Sequence, residues 1–143
     1  MDPRPEEWVA RSAVALCVAS RWLSGAALVL AAVALSIAQV LPAERIAAAA
    51  GLAVAAAAGA VQVYLALRIE FDRQIFGALA GAGEPGEAVK GFDQAMRALK
   101  MMPEHKAGRA LADRVRGLRS LVRSAGWLFA LQLALSLAAA WMR

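Results

Sequence analysis

Three long apolar runs, separated by blocks of charged residues, dominate the pattern of hydrophobic and polar positions along the chain. The runs cover residues 22–41, 46–67 and 124–143, and the only charged residue within them is the last one of the third run. Because about twenty helical residues rise about 30 Å, each run is long enough to cross the hydrocarbon core of a bilayer. The pattern therefore predicts an all-α integral membrane protein with three transmembrane helices.

The first two runs are joined by a short connection from Pro42 to Arg45. So short a connection leaves room only for a tight turn, and the second helix must then return antiparallel beside the first. Pro42 cannot continue the first helix, but it suits the first turn of the next one. Residues 22–67 are therefore predicted to form a transmembrane helical hairpin.

Residues 68–123, between the second and third runs, change to an amphipathic pattern with helical spacing. The second helix is expected to continue to residue 79 and to end at the glycines of residues 81–86. Apolar positions spaced by three and four predict a short helix over 87–102 and a longer one over 106–123. Because their apolar faces can cover one another, we expect a cytosolic helical hairpin or bundle. It would consist of the extensions of spans 2 and 3 and the short amphipathic helix.

Residues 1–21 show a weaker amphipathic pattern that ends at Arg21 and Trp22. An Arg at the centre of a bilayer is costly, whereas Trp favours the level of the headgroups. We therefore expect residues 1–21 to form a cytosolic or interfacial segment at the membrane surface, with the first span beginning at Trp22.

Composition and charge support a membrane protein and suggest its orientation. Hydrophobic residues make up 61% of the chain and the net charge is +5. Of the 16 Lys and Arg residues, all but Arg45 and Arg143 lie on one side of a three-span arrangement. Because Lys and Arg accumulate in cytoplasmic loops, the N-terminus is expected in the cytoplasm and the C-terminus outside, in a bacterial cell (inner) membrane. The basic residues then contact anionic lipid headgroups, and no nucleic acid is expected as a partner.

Small and polar residues inside the spans are candidates for helix packing. Four small residues spaced by four lie along one face of the second span, where they would allow close approach of a neighbouring helix. In so Ala-rich a run, such a stripe also arises easily by chance. Gln62 and Gln132 are predicted at similar depths and could hydrogen-bond across the bundle. The predicted packing residues are Ala47, Gly51, Ala55, Gly59, Gln62, Gln132 and Ser136.

The sequence contains no residue pattern typical of a catalytic, metal-binding or proton-transfer site. Cys17 is the only cysteine and His105 the only histidine, so neither a disulfide nor a zinc site of the usual kind is expected. No ionisable residue lies within the middle of any span, which argues against a proton-coupled pathway. We expect a protein without enzymatic activity, cofactor or metal.

The favoured interpretation is a scaffold or accessory subunit of a membrane protein complex, whose cytosolic helices dock a membrane protein partner or a second copy of the chain. The aromatic candidates for contact could instead lie inside the cytosolic bundle. The alternative function is a homo-oligomeric channel or transport subunit lined by Gln62, Gln132 and Ser136. The candidate partner or lipid contacts are Phe71, Phe76, Phe92, Arg116, Arg119 and Arg123.

Overall fold

A computed structural model describes residues 5–82, 84–100, 103–104 and 107–141. Within these ranges the chain forms four α-helices and a short 3₁₀ turn at Ala43–Arg45: α1 (Pro5–Val40), α2 (Ile46–Ala80), α3 (Pro85–Ala98) and α4 (Leu111–Trp141). Every regular element in the described ranges is helical, and α1, α2 and α4 are each long and apolar enough to cross a membrane. The all-α fold with three candidate spans is confirmed.

Helix α1 is longer than predicted and runs unbroken through Arg21. Its first half packs against the other helices, since Ala10, Ala13 and Cys17 are almost completely buried. Residues 5–21 therefore belong to the same helix as the first span and do not form a separate helix, whereas residues 1–4 lie outside the described part. The cytosolic or interfacial position of residues 1–21 stays a prediction.

The predicted bounds of α2 are confirmed to within a residue, whereas those of α3 and α4 require correction. Helix α3 ends at Ala98 and not at residue 102, because the backbone turns at Lys100, whose φ is 54°. Helix α4 begins at Leu111 and not at residue 106, since the chain turns through Gly108 at φ 73°, a conformation that favours glycine. From Leu111, α4 continues through the third apolar run as a single helix.

The three long helices pack through seams of buried side chains, which are small in α1 and include larger residues in α2 and α4. In α4 the buried positions are spaced by seven, in α1 they alternate between steps of three and four as far as Ala27, and in α2 most steps are of three or four. An average step of 3.5 residues is the repeat of left-handed coiled coils, in which one stripe keeps facing its neighbour. The seam of α1 consists of Ala10, Ala13, Cys17, Ser20, Ser24, Ala27 and Ala34, and that of α4 of Leu118, Ala125, Gln132 and Ala139.

The interior is divided into two apolar clusters. One cluster lies near the α1–α2 turn and is built mainly of small residues, with Leu52 as its largest buried member. The other combines side chains of all four helices, among them Ile69, Phe76 and Leu118, with Val89 of α3 packed against them. We call the end of the molecule that contains this second cluster the charged bundle and define it as residues 5–20, 68–80, 84–98 and 111–123.

Three exposed aromatic side chains lie near the boundary between the charged bundle and the rest of the molecule. Trp22, Tyr64 and Trp127 lie at similar depth on α1, α2 and α4 and are 85%, 66% and 73% exposed. We call these three residues the aromatic belt. On the charged side of each, within one helical turn, lies an arginine. The three arginines are Arg21, Arg68 and Arg123.

Candidate functional site

The predicted small-residue stripe on α2 divides into two packed and two unpacked positions. Ala55 and Gly59 are buried, and a Cβ added at Gly59 would overlap the Cβ of Ala31 on α1. Ala47 is exposed, and a Cβ added at Gly51 would meet nothing. Successive steps of four turn 400° around a helix with 3.6 residues per turn, so the stripe drifts away from the neighbouring helix.

The two glutamines lie fully buried between the apolar clusters, where they form a polar layer with Gly59. The Nε2 of Gln62 donates to the carbonyl oxygen of Ala125 at 2.8 Å, and the Nε2 of Gln132 donates to that of Ala27 at 2.9 Å. The amides therefore hydrogen-bond across the bundle, each to a backbone carbonyl group of a neighbouring helix.

Through these two bonds the polar layer links all three long helices, α2 to α4 and α4 to α1. The Oε1 atoms of Gln62 and Gln132 have no hydrogen-bond partner in the described part of the chain. Ser136 acts within its own helix, because its Oγ donates to the carbonyl oxygen of Gln132 at 2.9 Å. Bonds of this kind between membrane helices contribute on the order of 0.6 to 2 kcal/mol each. The polar layer therefore sets the relative positions of the three helices but adds little to the free energy of folding.

An ion pair fastens α3 to α4 inside the charged bundle. The carboxylate of Asp93 accepts hydrogen bonds from Nη2 of Arg114 at 2.6 and 2.8 Å and from the backbone N–H of Gly108 at 2.8 Å. The side chain of Asp93 is only 4% exposed. Arg114 also lies over the ring of Phe92, 5.8 Å from its centroid. The sequence did not indicate this contact, because Asp93 and Arg114 are 21 positions apart and each resembles an ordinary residue of a solvated helix face.

A groove of about 530 Å³ runs between α2, α3 and α4 on the surface of the charged bundle. It begins at Tyr64 of the aromatic belt and passes Arg68, which lies over the ring of Phe71 at 5.7 Å. Phe76, Leu118 and other apolar side chains form its floor. The lining residues are Tyr64, Arg68, Phe71, Asp72, Ile75, Phe76, Phe92, Met96, Pro103, Arg109, Asp113, Arg114, Gly117, Leu118 and Leu121.

The predicted contact residues are distributed between this groove and the outer face of α4. Phe71 is exposed and Phe92 half-buried, whereas Phe76 is 3% exposed and belongs to the core. The other three, Arg116, Arg119 and Arg123, are exposed on α4. Arg116 pairs with Asp113 at 3.0 Å. The aromatic residues thus occupy different environments.

Two carboxylates of α2 that lie beyond the predicted span have pKa values shifted in opposite directions. Burial raises the pKa of Asp72, and Arg68, 3.7 Å away, only partly offsets that effect. Hydrogen bonds from Arg73 lower the pKa of Glu70, which is otherwise open to solvent.

Metal-binding chemistry has no candidate among the described residues, since no three His, Cys, Asp or Glu side chains gather there. Cys17 is buried in the seam of α1, and His105 lies outside the described residues. Comparison of the chain with protein-family models, curated proteins and solved structures finds no match.

Proposed function

We propose that this chain is a multi-pass membrane scaffold or accessory subunit, with the charged bundle in the cytoplasm as its docking surface. The observation that carries the proposal is the continuity of α1, α2 and α4 across the aromatic belt. Packed helices that cross this boundary without a break can hold a surface at a fixed height and orientation above a membrane.

The aromatic belt supports the proposed position of the membrane boundary. Trp and Tyr favour the headgroup level, and Arg beyond them favours the cytoplasmic side. On the other side of the belt, the exposed surfaces of the long helices are rich in large apolar side chains. Examples are Val29, Val33, Val54, Val61, Leu131 and Leu137.

The outer face of α4 is the part of the charged bundle best suited to a partner. Arg116, Arg119 and Arg123 lie on successive turns and are exposed. A partner with an acidic surface would meet several cations at once, and such complementarity increases association rates and specificity.

Co-purification from native membranes in a mild detergent tests this proposal. The tagged wild-type chain should retain a protein companion in a fixed ratio, and Arg119→Glu should reduce the recovery of that companion several-fold. Lys90→Glu, an exposed charge reversal on α3, serves as the matched control and should leave recovery unchanged. A chain recovered without any companion would contradict the scaffold proposal.

The alternative of a homo-oligomeric channel has less support. Gln62 and Gln132 are 0% exposed inside a single chain, so their amides have no surface to offer to a pore between copies. Tracer flux into liposomes above protein-free controls, abolished by Gln62→Leu, would favour the channel over the scaffold.

A further inference from the structure

We propose that the groove of the charged bundle binds the headgroup and upper acyl chain of one anionic phospholipid from the adjacent membrane leaflet. The inference uses the membrane boundary proposed above but does not require a protein partner.

The position of the groove favours an occupant that comes from the bilayer. One end of the groove lies at Tyr64, in the aromatic belt, and the other lies among the first turns of α4. Tyr64 is 66% exposed and Phe71 is 40% exposed, so the groove is open to the surroundings at this end. A molecule that enters here has its apolar part at the level of the membrane and its polar part within the charged bundle.

The lining matches an amphiphile in both parts. Its floor is apolar, formed by Phe76, Leu118 and Leu121, and its volume falls in the range of sites that enclose small ligands. This volume accommodates a headgroup and the first part of an acyl chain, while the rest of the lipid stays in the bilayer.

The charges of the lining favour an anion. Asp113 is paired with Arg116, and Arg114 is held by Asp93, so these groups are already compensated. Arg109 is exposed at the groove and has no ion-pair partner in the parts of the chain that the structure describes. A lipid phosphate is an acceptor of the geometry and charge that a guanidinium binds best.

The net positive charge around the groove also favours an anionic lipid. Residues 68–123 contain eleven Lys and Arg against seven Asp and Glu. Cationic residues beside a membrane attract anionic lipids. A general attraction of this kind would concentrate such lipids near the groove, and Arg109 would then select one of them.

Gly117 provides a direct test because it lines the groove and nothing lies within 4 Å of a Cβ added there. Gly117→Phe should fill the groove without disturbing α4, since replacing a glycine inside a helix improves helix propensity. Gly91→Phe is the matched control, because Gly91 also lies inside a helix with open space around it but does not line the groove. Arg109→Gln and Arg97→Gln form a second pair, equal in charge change, because Arg97 is exposed on α3 but does not line the groove.

The measurement is native mass spectrometry of the full chain in a mild detergent, titrated with phosphatidylglycerol or with phosphatidylcholine of the same acyl chains. The wild-type chain should retain one phosphatidylglycerol with at least tenfold higher affinity than phosphatidylcholine. Gly117→Phe should lower that affinity at least tenfold and Arg109→Gln several-fold, while Gly91→Phe and Arg97→Gln change it less than twofold. Thermal unfolding of each variant verifies that the fold is retained.

Three results would overturn the proposal. They are equal retention of the two lipids, an unchanged affinity in Gly117→Phe, and equal losses in Arg109→Gln and Arg97→Gln, which would indicate only diffuse attraction to the basic surface. A Gly117→Phe variant that loses a protein companion but keeps its lipid would assign the groove to a protein segment instead. If the chain bound the lipid but retained no protein companion, the scaffold proposal would be contradicted and the lipid proposal would stand.

Discussion

Gly59 lies where α1 and α2 approach so closely that no side chain fits between them. Gly59→Leu should lower the free energy of unfolding by about 1 to 3 kcal/mol, because the added side chain would overlap Ala31 on the opposing helix and force the helices apart. Gly51→Leu adds the same side chain eight positions away, where a Cβ meets nothing, and should change stability by less than about 1 kcal/mol. Unfolding in mixed detergent and SDS measures both variants, and equal losses would contradict a local steric origin.

Asp72 and Glu70 provide a second test at the scale of single residues, since their pKa values shift in opposite directions. Burial raises the pKa of Asp72, so its contribution to stability is fully present below its ordinary value of 3.8 and is lost as the pH rises through the raised value. Asp72→Asn should remove this decline and leave the protein at least as stable as the wild type at neutral pH.

The matched variant Glu70→Gln should act with the opposite sign. Arg73 lowers the pKa of Glu70, so its contribution is present above the ordinary value of 4.5 and is lost as the pH falls. Thermal midpoints of the wild type and both variants across acid to neutral pH separate the two groups. A wild-type-like pH dependence in Asp72→Asn would show that Asp72 does not titrate as its burial indicates.

At the scale of helices, the sequence predicted which helices form and in what order better than it predicted which face of each helix packs against its neighbours. The bounds of α2 and the α1–α2 hairpin followed from apolar length and from the turn at Pro42. The seam of α1 was missed because Ala, Ser and Cys carry almost no contrast with the Ala-rich positions around them. The step of 3.5 residues is present on α1 as a heptad repeat from Ala10 to Ala34, whereas the stripe of four was predicted on α2.

The contacts between distant residues could not be predicted from any local pattern. Gln62 and Gln132 bond to backbone carbonyl groups, which every residue possesses, so no residue type signals the partner. The pairing of Asp93 with Arg114 depends on how α3 returns against α4, and that geometry is set by the turn at Gly108.

Because Asp93 and Arg114 join two helices, their pairing predicts local behaviour of α3. Arg114→Leu should leave the carboxylate of Asp93 buried without its cation, and breaking a buried pair in this way costs about 3 to 5 kcal/mol when both groups are fully buried. Arg114 is 15% exposed, so we expect a smaller loss, concentrated in α3 and the turn at residues 107–110.

Hydrogen exchange followed by mass spectrometry should therefore show faster exchange in α3 of Arg114→Leu while α2 keeps its protection. Glu87→Gln breaks the exposed pair with Lys90 on the same helix and serves as the control, since exposed pairs contribute about 1 kcal/mol or less. If the two variants exchange alike, α3 is held by its apolar contacts, such as Val89, and not by the ion pair.

For the whole molecule, the aromatic belt and the charge distribution together make a prediction about sidedness. The α1–α2 turn and α3 lie at opposite ends of the long helices, so in a membrane they should face opposite compartments. Single cysteines at Glu44→Cys and Gln94→Cys, in a Cys17→Ala background, place one reactive thiol at each end. Both positions are exposed in the folded chain.

A membrane-impermeant thiol reagent applied to intact cells should label the cysteine at position 44, and the cysteine at position 94 should react only after the membrane is opened. Full labelling of both positions in detergent is the control for reactivity. The opposite pattern would keep the three spans but invert the molecule, placing the charged bundle and its groove outside the cell. Labelling of both positions from the same side would rule out three spans. Positions 44 and 94 lie at opposite ends of α2, and a single crossing by α2 would place them on opposite sides of the bilayer.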